Sequence, residues 1–296
     1  MATHALVLGG GGPVGIAWEA GLLAGFAEGG IDLPDADFIV GTSAGSFVGA
    51  QLAMGKTPSS LASTILAETE APSAESPRPP AGPPPDLRVL FAKMAEAVSG
   101  QRPAQVVRAE MGKWAIEAKT MSEEMFIALF GHSFNELAQD AWPERNYACT
   151  AVDALTGEFV VWNRESGVGV KRAVASSCSV PGVFPPITLN GRKYIDGGMR
   201  SATNADLAKG YDVAVVVAVV GAMPDPKMAE LFRNVLEREL NTLREGGATV
   251  ELIVPDAASV RAFGPNLMDF RKRPDAARAG IAQGKSQAAG LRSIWS

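Results

Sequence analysis

Histidine and cysteine are both scarce, at two residues each in a chain of 296. The histidine shortage leaves a Ser–His–Asp hydrolase without a good base. His4 precedes the first apolar stretch and belongs at the sheet edge away from any catalytic loops, and His132 follows the apolar run 126–130 and reads as a helix end. Cys149 and Cys178 exclude a disulfide framework, and Cys149, set in an apolar strand, reads as a buried, unreactive thiol. No His/Cys cluster stands at metal-ligand spacing, so neither metal nor cofactor is expected. A basic excess is also missing. The net charge of −5 argues against a nucleic-acid partner and against strong electrostatic docking on anionic lipid. The longest aliphatic run, 213–220, is too short to span a bilayer and suits a buried parallel strand. The N-terminus enters its first strand without signal-peptide regions, so a cytoplasmic location is expected, peripheral to a membrane at most.

Glycine is plentiful, with 32 residues, and two clusters fall between an apolar strand and a helix. Gly9-Gly10-Gly11-Gly12-Pro13-Val14-Gly15 follows Ala5-Leu6-Val7-Leu8, and Gly41-Thr42-Ser43-Ala44-Gly45 follows Phe38-Ile39-Val40. The second cluster matches the sharp strand-to-helix turn that exposes a serine hydroxyl, where only small neighbours fit. It also aims a helix N-terminus at Ser43. The first cluster can present backbone N–H groups to a developing anion. Gly10-x-Gly12-x-x-Gly15 equally satisfies the dinucleotide fingerprint, but that reading needs an acid at the end of the second strand, and Gly41-Thr42-Ser43 stands there instead. Gly55-Lys56-Thr57 fails as a phosphate loop, because it follows a helix and lacks the earlier glycine.

With histidine set aside, a carboxylate is the remaining base. Arg192-Lys193-Tyr194-Ile195-Asp196-Gly197-Gly198 reads as a short strand ending in an acid, then two glycines that let the backbone turn close to another loop. An ordinary Asp-Gly turn is the plain alternative. Asp256 competes, since it too ends an expected strand, whereas Asp153 fits a hairpin at 153–157.

The ordered blocks G-G-G-G-P-V-G, G-T-S-A-G and D-G-G, with Ala175-Ser176-Ser177-Cys178-Ser179-Val180-Pro181-Gly182-Val183-Phe184-Pro185-Pro186 before the last, resemble the patatin-like phospholipases. The resemblance runs from Leu6 to about Leu207. It implies a serine acyl hydrolase of lipid esters, with Ser43 as nucleophile, Asp196 as base, and the amides of Gly10, Gly11 and Gly12 as the oxyanion hole. The implied partner is a lipid or acyl-ester substrate. Val14 departs from the family, which usually carries Arg or Lys there, and this weakens the case for an anionic phosphate head group. A catalytically weak regulatory member, and an acyltransferase or thioesterase using the same dyad, are the alternatives.

The expected architecture is one α/β domain over 1–296, a mostly parallel central sheet with helices on both faces in three layers. A Pro-rich connector is expected at 69–86 and a helical segment at 87–130, read either as a lid or as plain core-facing helices. Strands are expected at 147–152, 158–162, around 213 and at 249–254, with long helices at 225–245 and from Pro274 onward.

Overall fold

The computed structural model describes residues 1–68, 88–134, 141–219 and 226–295. The expected Pro-rich connector and the side chain of His132 lie outside the described residues. The elements are β1 (His4–Leu8), α1 (Gly12–Glu28), β2 (Phe38–Gly41), α2 (Ala44–Ala53), α3 (Pro58–Ala67), α4 (Arg88–Val98), α5 (Ala104–Glu117), α6 (Glu123–Gly131), β3 (Tyr147–Asp153) and β4 (Phe159–Trp162). There follow α7 (Val170–Ser177), β5 (Ile187–Leu189), β6 (Arg192–Asp196), β7 (Val213–Val217), α8 (Pro226–Glu245), β8 (Thr249–Ile253), α9 (Ala257–Phe263) and α10 (Arg273–Leu291).

The inner strands are apolar along their whole length, as a sheet covered on both faces requires. Alternation along β1 sends Leu6 and Leu8 into a core shared with α1 and α2, and Ala5 and Val7 into a second core closed by Leu236, Leu240 and Leu243 of α8. Two helical layers thus enclose one sheet, the three-layer α/β arrangement expected from the sequence. The strand path is β5-β6-β3-β2-β1-β7-β8, with β4 also paired to β3. From β3 through β8 the pairings are parallel; β3–β6, β5–β6 and β3–β4 are antiparallel.

The registers on β3 have a geometrical consequence. β4 pairs with Cys149–Val152, overlapping the residues used by both β2 (Tyr147–Cys149) and β6 (Ala151–Asp153). A strand has only two edges, so β2 and β6 share the one that β4 leaves. β2 climbs that edge to Gly41 opposite Cys149, and β6 descends it to Asp196 opposite Ala151. The two strand ends therefore meet across Thr150.

Helix α1 is apolar almost all round, the pattern of a buried helix, and Glu19 is buried with it. It lies close against α10, where glycines remove the side chains between the backbones: a Cβ on Gly21 or Gly25 would fall on the carbonyls of Ala277 or Ile281. Two helices, α2 and α3, follow β2. Thr57 caps α3, its hydroxyl oxygen accepting the Ser60 N–H at 3.2 Å, and Pro58 opens the helix. In α4, Leu90 packs with Met111 and Ala115 of α5 against Ile195 and Met199. No helix among the described residues is long and apolar enough to cross a membrane.

Candidate active site

Ser43 stands between the end of β2 and the start of α2 with φ 53° and ψ −116°, a backbone conformation that costs a non-glycine residue about 1–3 kcal/mol. Neighbouring groups hold it there. Its N–H donates to Ser177 Oγ at the end of α7 (3.0 Å). Its carbonyl accepts from Ser46 Oγ (2.6 Å), Ser46 N–H (3.0 Å) and Cys178 Sγ (3.2 Å). Both flanking glycines are required by close approach: a Cβ on Gly41 would fall on the Gly45 carbonyl, and one on Gly45 would fall on the Leu8 carbonyl of β1.

Asp196 ends β6 and is 2% exposed. Its N–H donates to Ser179 O (3.1 Å), and its Oδ1 accepts the Gly198 N–H (2.7 Å). The Ser43 hydroxyl acts on the same carboxyl, favouring its charged form. Burial pushes this carboxyl up to about 7, held down in part by the Gly198 N–H and the Ser43 hydroxyl. Gly197 sits so close to Thr150 that a Cβ would collide with its hydroxyl.

The seam between the two strand ends is tied by a side chain the sequence gives no reason to single out. Asn204, at φ 50°, donates from Nδ2 to Ser201 O (2.8 Å) and Thr42 Oγ1 (3.0 Å), and more weakly to Gly197 O and Thr150 Oγ1 (3.4 Å each). Thr42 and Thr150 join through their hydroxyls at 2.8 Å. Glu239 of α8 anchors this segment from behind, accepting from Thr203 Oγ1 (2.7 Å) and Ala205 N–H (2.9 Å).

The glycine loop lies against the serine: a Cβ on Gly10 would stand 3.4 Å from Ser43 Cβ. Its amides differ from one another. The Gly10 N–H donates to Ala202 O at 2.7 Å, so it is already engaged within the protein. Among the described residues nothing accepts from the N–H groups of Gly11 and Gly12, and Gly12 has φ +60°. The three donors expected from the sequence thus reduce to two without a protein acceptor. Val14 is fully buried, and its N–H donates to Leu267 O (3.2 Å); Arg273 reaches Pro13 O (3.4 Å) while pairing with Glu68.

The competing acids serve elsewhere. Asp256 caps α9, accepting the Ser259 N–H at 2.7 Å, and follows β8, three strands or roughly 14 Å from β2. Asp153 accepts from Leu155 N–H (2.9 Å), Thr156 N–H (2.8 Å) and Arg192 Nε (2.7 Å). His4 opens β1 at the end opposite the glycine loop, in edge-to-face contact with Trp295. Burial pushes the Cys149 thiol up to about 12, the behaviour of an inert buried cysteine. The described residues contain no group that could hold a metal ion.

A three-layer α/β sheet that carries a serine on a glycine-flanked turn, together with a buried carboxyl at a neighbouring strand end, has the architecture of a serine-type hydrolase. The chain belongs to the patatin-like phospholipase family, whose sequence profile matches residues 6–209. It is 28% identical over 230 residues to proteins named lysophospholipase nte1 from Aspergillus fumigatus and Aspergillus niger, a match covering 74% of this chain. It spans 12% of the length of those relatives. Among solved structures it is similar to VipD from Legionella pneumophila, with 14% identity, TM-score 0.45, and coverage of 98% of this chain and 67% of the other. For the type III effector protein ExoU the values are 16% identity, TM-score 0.42, and coverage of 98% and 53%.

Proposed function

We propose that the chain hydrolyses lipid esters through a Ser43–Asp196 dyad, with the N–H groups of Gly11 and Gly12 as the oxyanion hole. The observation that supports this most is a buried carboxyl, pushed up to about 7, on which the Ser43 hydroxyl acts. An ordinary carboxylate is too weak a base for serine at neutral pH, and one raised to this value sits where a general base works best. Asp196 takes the hydroxyl proton as Ser43 Oγ bonds to the ester carbonyl carbon. The negative charge that develops on the carbonyl oxygen meets the two glycine amides; losing one such donor typically costs about 10²–10³ in turnover. The proton passes to the departing alcohol, leaving an acyl-serine. Water then attacks the acyl carbon and gives its proton to Asp196, which returns it to Ser43 as the acid product leaves.

The names of the sequence relatives make a monoacyl phospholipid the first natural substrate to try. The test is turnover of p-nitrophenyl butyrate and lysophosphatidylcholine by wild type, Ser43→Ala and Asp196→Asn. Wild-type activity should rise with pH through about 7, as the carboxylate form accumulates. Both variants should lose at least about 10³-fold in kcat while keeping the fold, and a fluorophosphonate should label Ser43. Absence of both turnover and labelling in the wild type would overturn the reading. Full activity in Asp196→Asn would remove Asp196 as the base.

A further inference from the structure

Glu19 is a carboxyl that the dyad does not use. It is 0% exposed, and neither of its oxygens completes a hydrogen bond. It lies on α1 one turn beyond Gly15, and the Gly9 peptide is its polar neighbour. That peptide is a junction: its N–H donates to Val217 O at the end of β7 (2.9 Å), and its carbonyl accepts the N–H of Gly45 in the nucleophile turn (2.9 Å). Because the Gly9 N–H is already given to Val217, it counters the burial of Glu19 only in part, and the carboxyl stays well above the usual range.

Among the described residues, Arg261 of α9 included, no charged group acts on it. Helices α2 and α3, which pack on α1, contain no charged residue. The charged groups of α10 are engaged elsewhere: Arg273 with Glu68, Arg278 with Asp275, and Lys285 with Glu28 of α1 itself. The short 3₁₀ turns that touch α1 carry Asp35, Arg271 and Lys272; Asp35 pairs with Arg145 and Arg271 with Asp269. None of these, Lys272 included, acts on Glu19. An unpaired charge buried this way is costly enough that the group holds its proton instead.

We propose that Glu19 is a pH-sensitive group behind the glycine loop: as a neutral acid beside the Gly9 peptide it leaves the loop competent, and its ionisation at alkaline pH disarms it. A carboxylate there would oppose the negative charge forming on the substrate oxygen and would repel the Gly9 carbonyl that holds the nucleophile turn. The inference rests on the reading of the loop as the oxyanion hole, so its test has one arm that needs no activity.

The first arm is the melting temperature of wild type, Glu19→Gln and Glu19→Met between about pH 4 and pH 10. Glu19 binds a proton more tightly folded than unfolded, so the stability its proton supplies is complete below the unfolded value and is lost as pH rises toward the folded one. Wild type should therefore lose stability across this range relative to both variants; parallel curves would show that Glu19 is not held neutral. The second arm is the pH profile of kcat for p-nitrophenyl butyrate on the alkaline side. It should fall as pH rises in wild type and stay level in both variants. An alkaline loss that persists in the variants would overturn the proposal and point to Cys178, whose buried thiol touches the Ser43 carbonyl. A flat wild-type profile would overturn it as well. If wild type shows no turnover at any pH while the melting curves diverge as expected, the dyad reading fails and the neutral state of Glu19 stands.

Discussion

β2 and β6 reach the same stretch of β3 from opposite directions, and their ends are secured by different means. The β2 end is secured by backbone. Parallel neighbours flank it, α2 follows at once, and the strained Ser43 is fixed through its own N–H and carbonyl. The β6 end is secured around a side chain: antiparallel pairing leads to a short 3₁₀ turn, and the carboxyl of Asp196 accepts the N–H two residues on. Both halves therefore depend on absent Cβ atoms, at Gly41 and Gly45 on one side and at Gly197 on the other, but the β6 half depends also on where a carboxyl is buried. Substitutions should separate the two.

The sharpest break is Gly45→Ala. The new methyl would fall on the Leu8 carbonyl, a β-sheet backbone atom with no freedom to withdraw. We expect about 3–5 kcal/mol of lost stability by urea unfolding. Gly198→Ala, whose Cβ would meet only the movable Asp196 Oδ1 at 2.9 Å, should cost about 1 kcal/mol; equal losses would erase the contrast. Next comes Asp196→Asn. The folded value of about 7 lies above the model-peptide value of 3.8, so the wild type loses stability as pH rises between them. The Asn variant has no such loss and should gain about 2–4 kcal/mol on wild type from pH 4 to pH 8, with activity abolished. A constant difference across that range would mean that the carboxyl is not held in its raised state.

Asn204→Ala removes the tie across the seam and should cost about 2 kcal/mol, with kcat falling more than KM rises. An effect confined to stability would make Asn204 a plain structural residue. The smallest expected effect is Ser177→Ala, which deprives the Ser43 N–H of its acceptor. A tenfold loss of kcat and about 1 kcal/mol of stability are expected, with Ser177→Thr restoring part of each.

Much of this arrangement was readable in the sequence, for a physical reason. A turn too tight for side chains must be written in glycine, so the nucleophile turn, the glycine loop and the Asp196 turn all leave marks at fixed spacing. The strands were readable because buried parallel strands need unbroken apolar runs, as in Val213–Val217. The supporting polar residues were not. Ser177 meets Ser43, Asn204 meets Thr42 and Ala202 meets Gly10 across more than a hundred positions of chain, and nothing local assigns them these contacts. The engagement of the Gly10 amide was hidden for the same reason, since its acceptor is an alanine carbonyl. The end of α2 was readable at Gly55, and Thr57-Pro58 marks the start of α3.

The close packing of α1 on α10 also bears on the order in which the protein is made. By the time residue 209 has been synthesised, the glycine loop, the serine and the acid all exist, yet the helix behind the loop still has its glycine face bare. Val14 waits for Leu267, and Gly21 and Gly25 wait for α10. A ribosome-bound chain thus holds every group of the candidate site before it holds the support that sets them. The site is in this way completed only by residues that lie outside it.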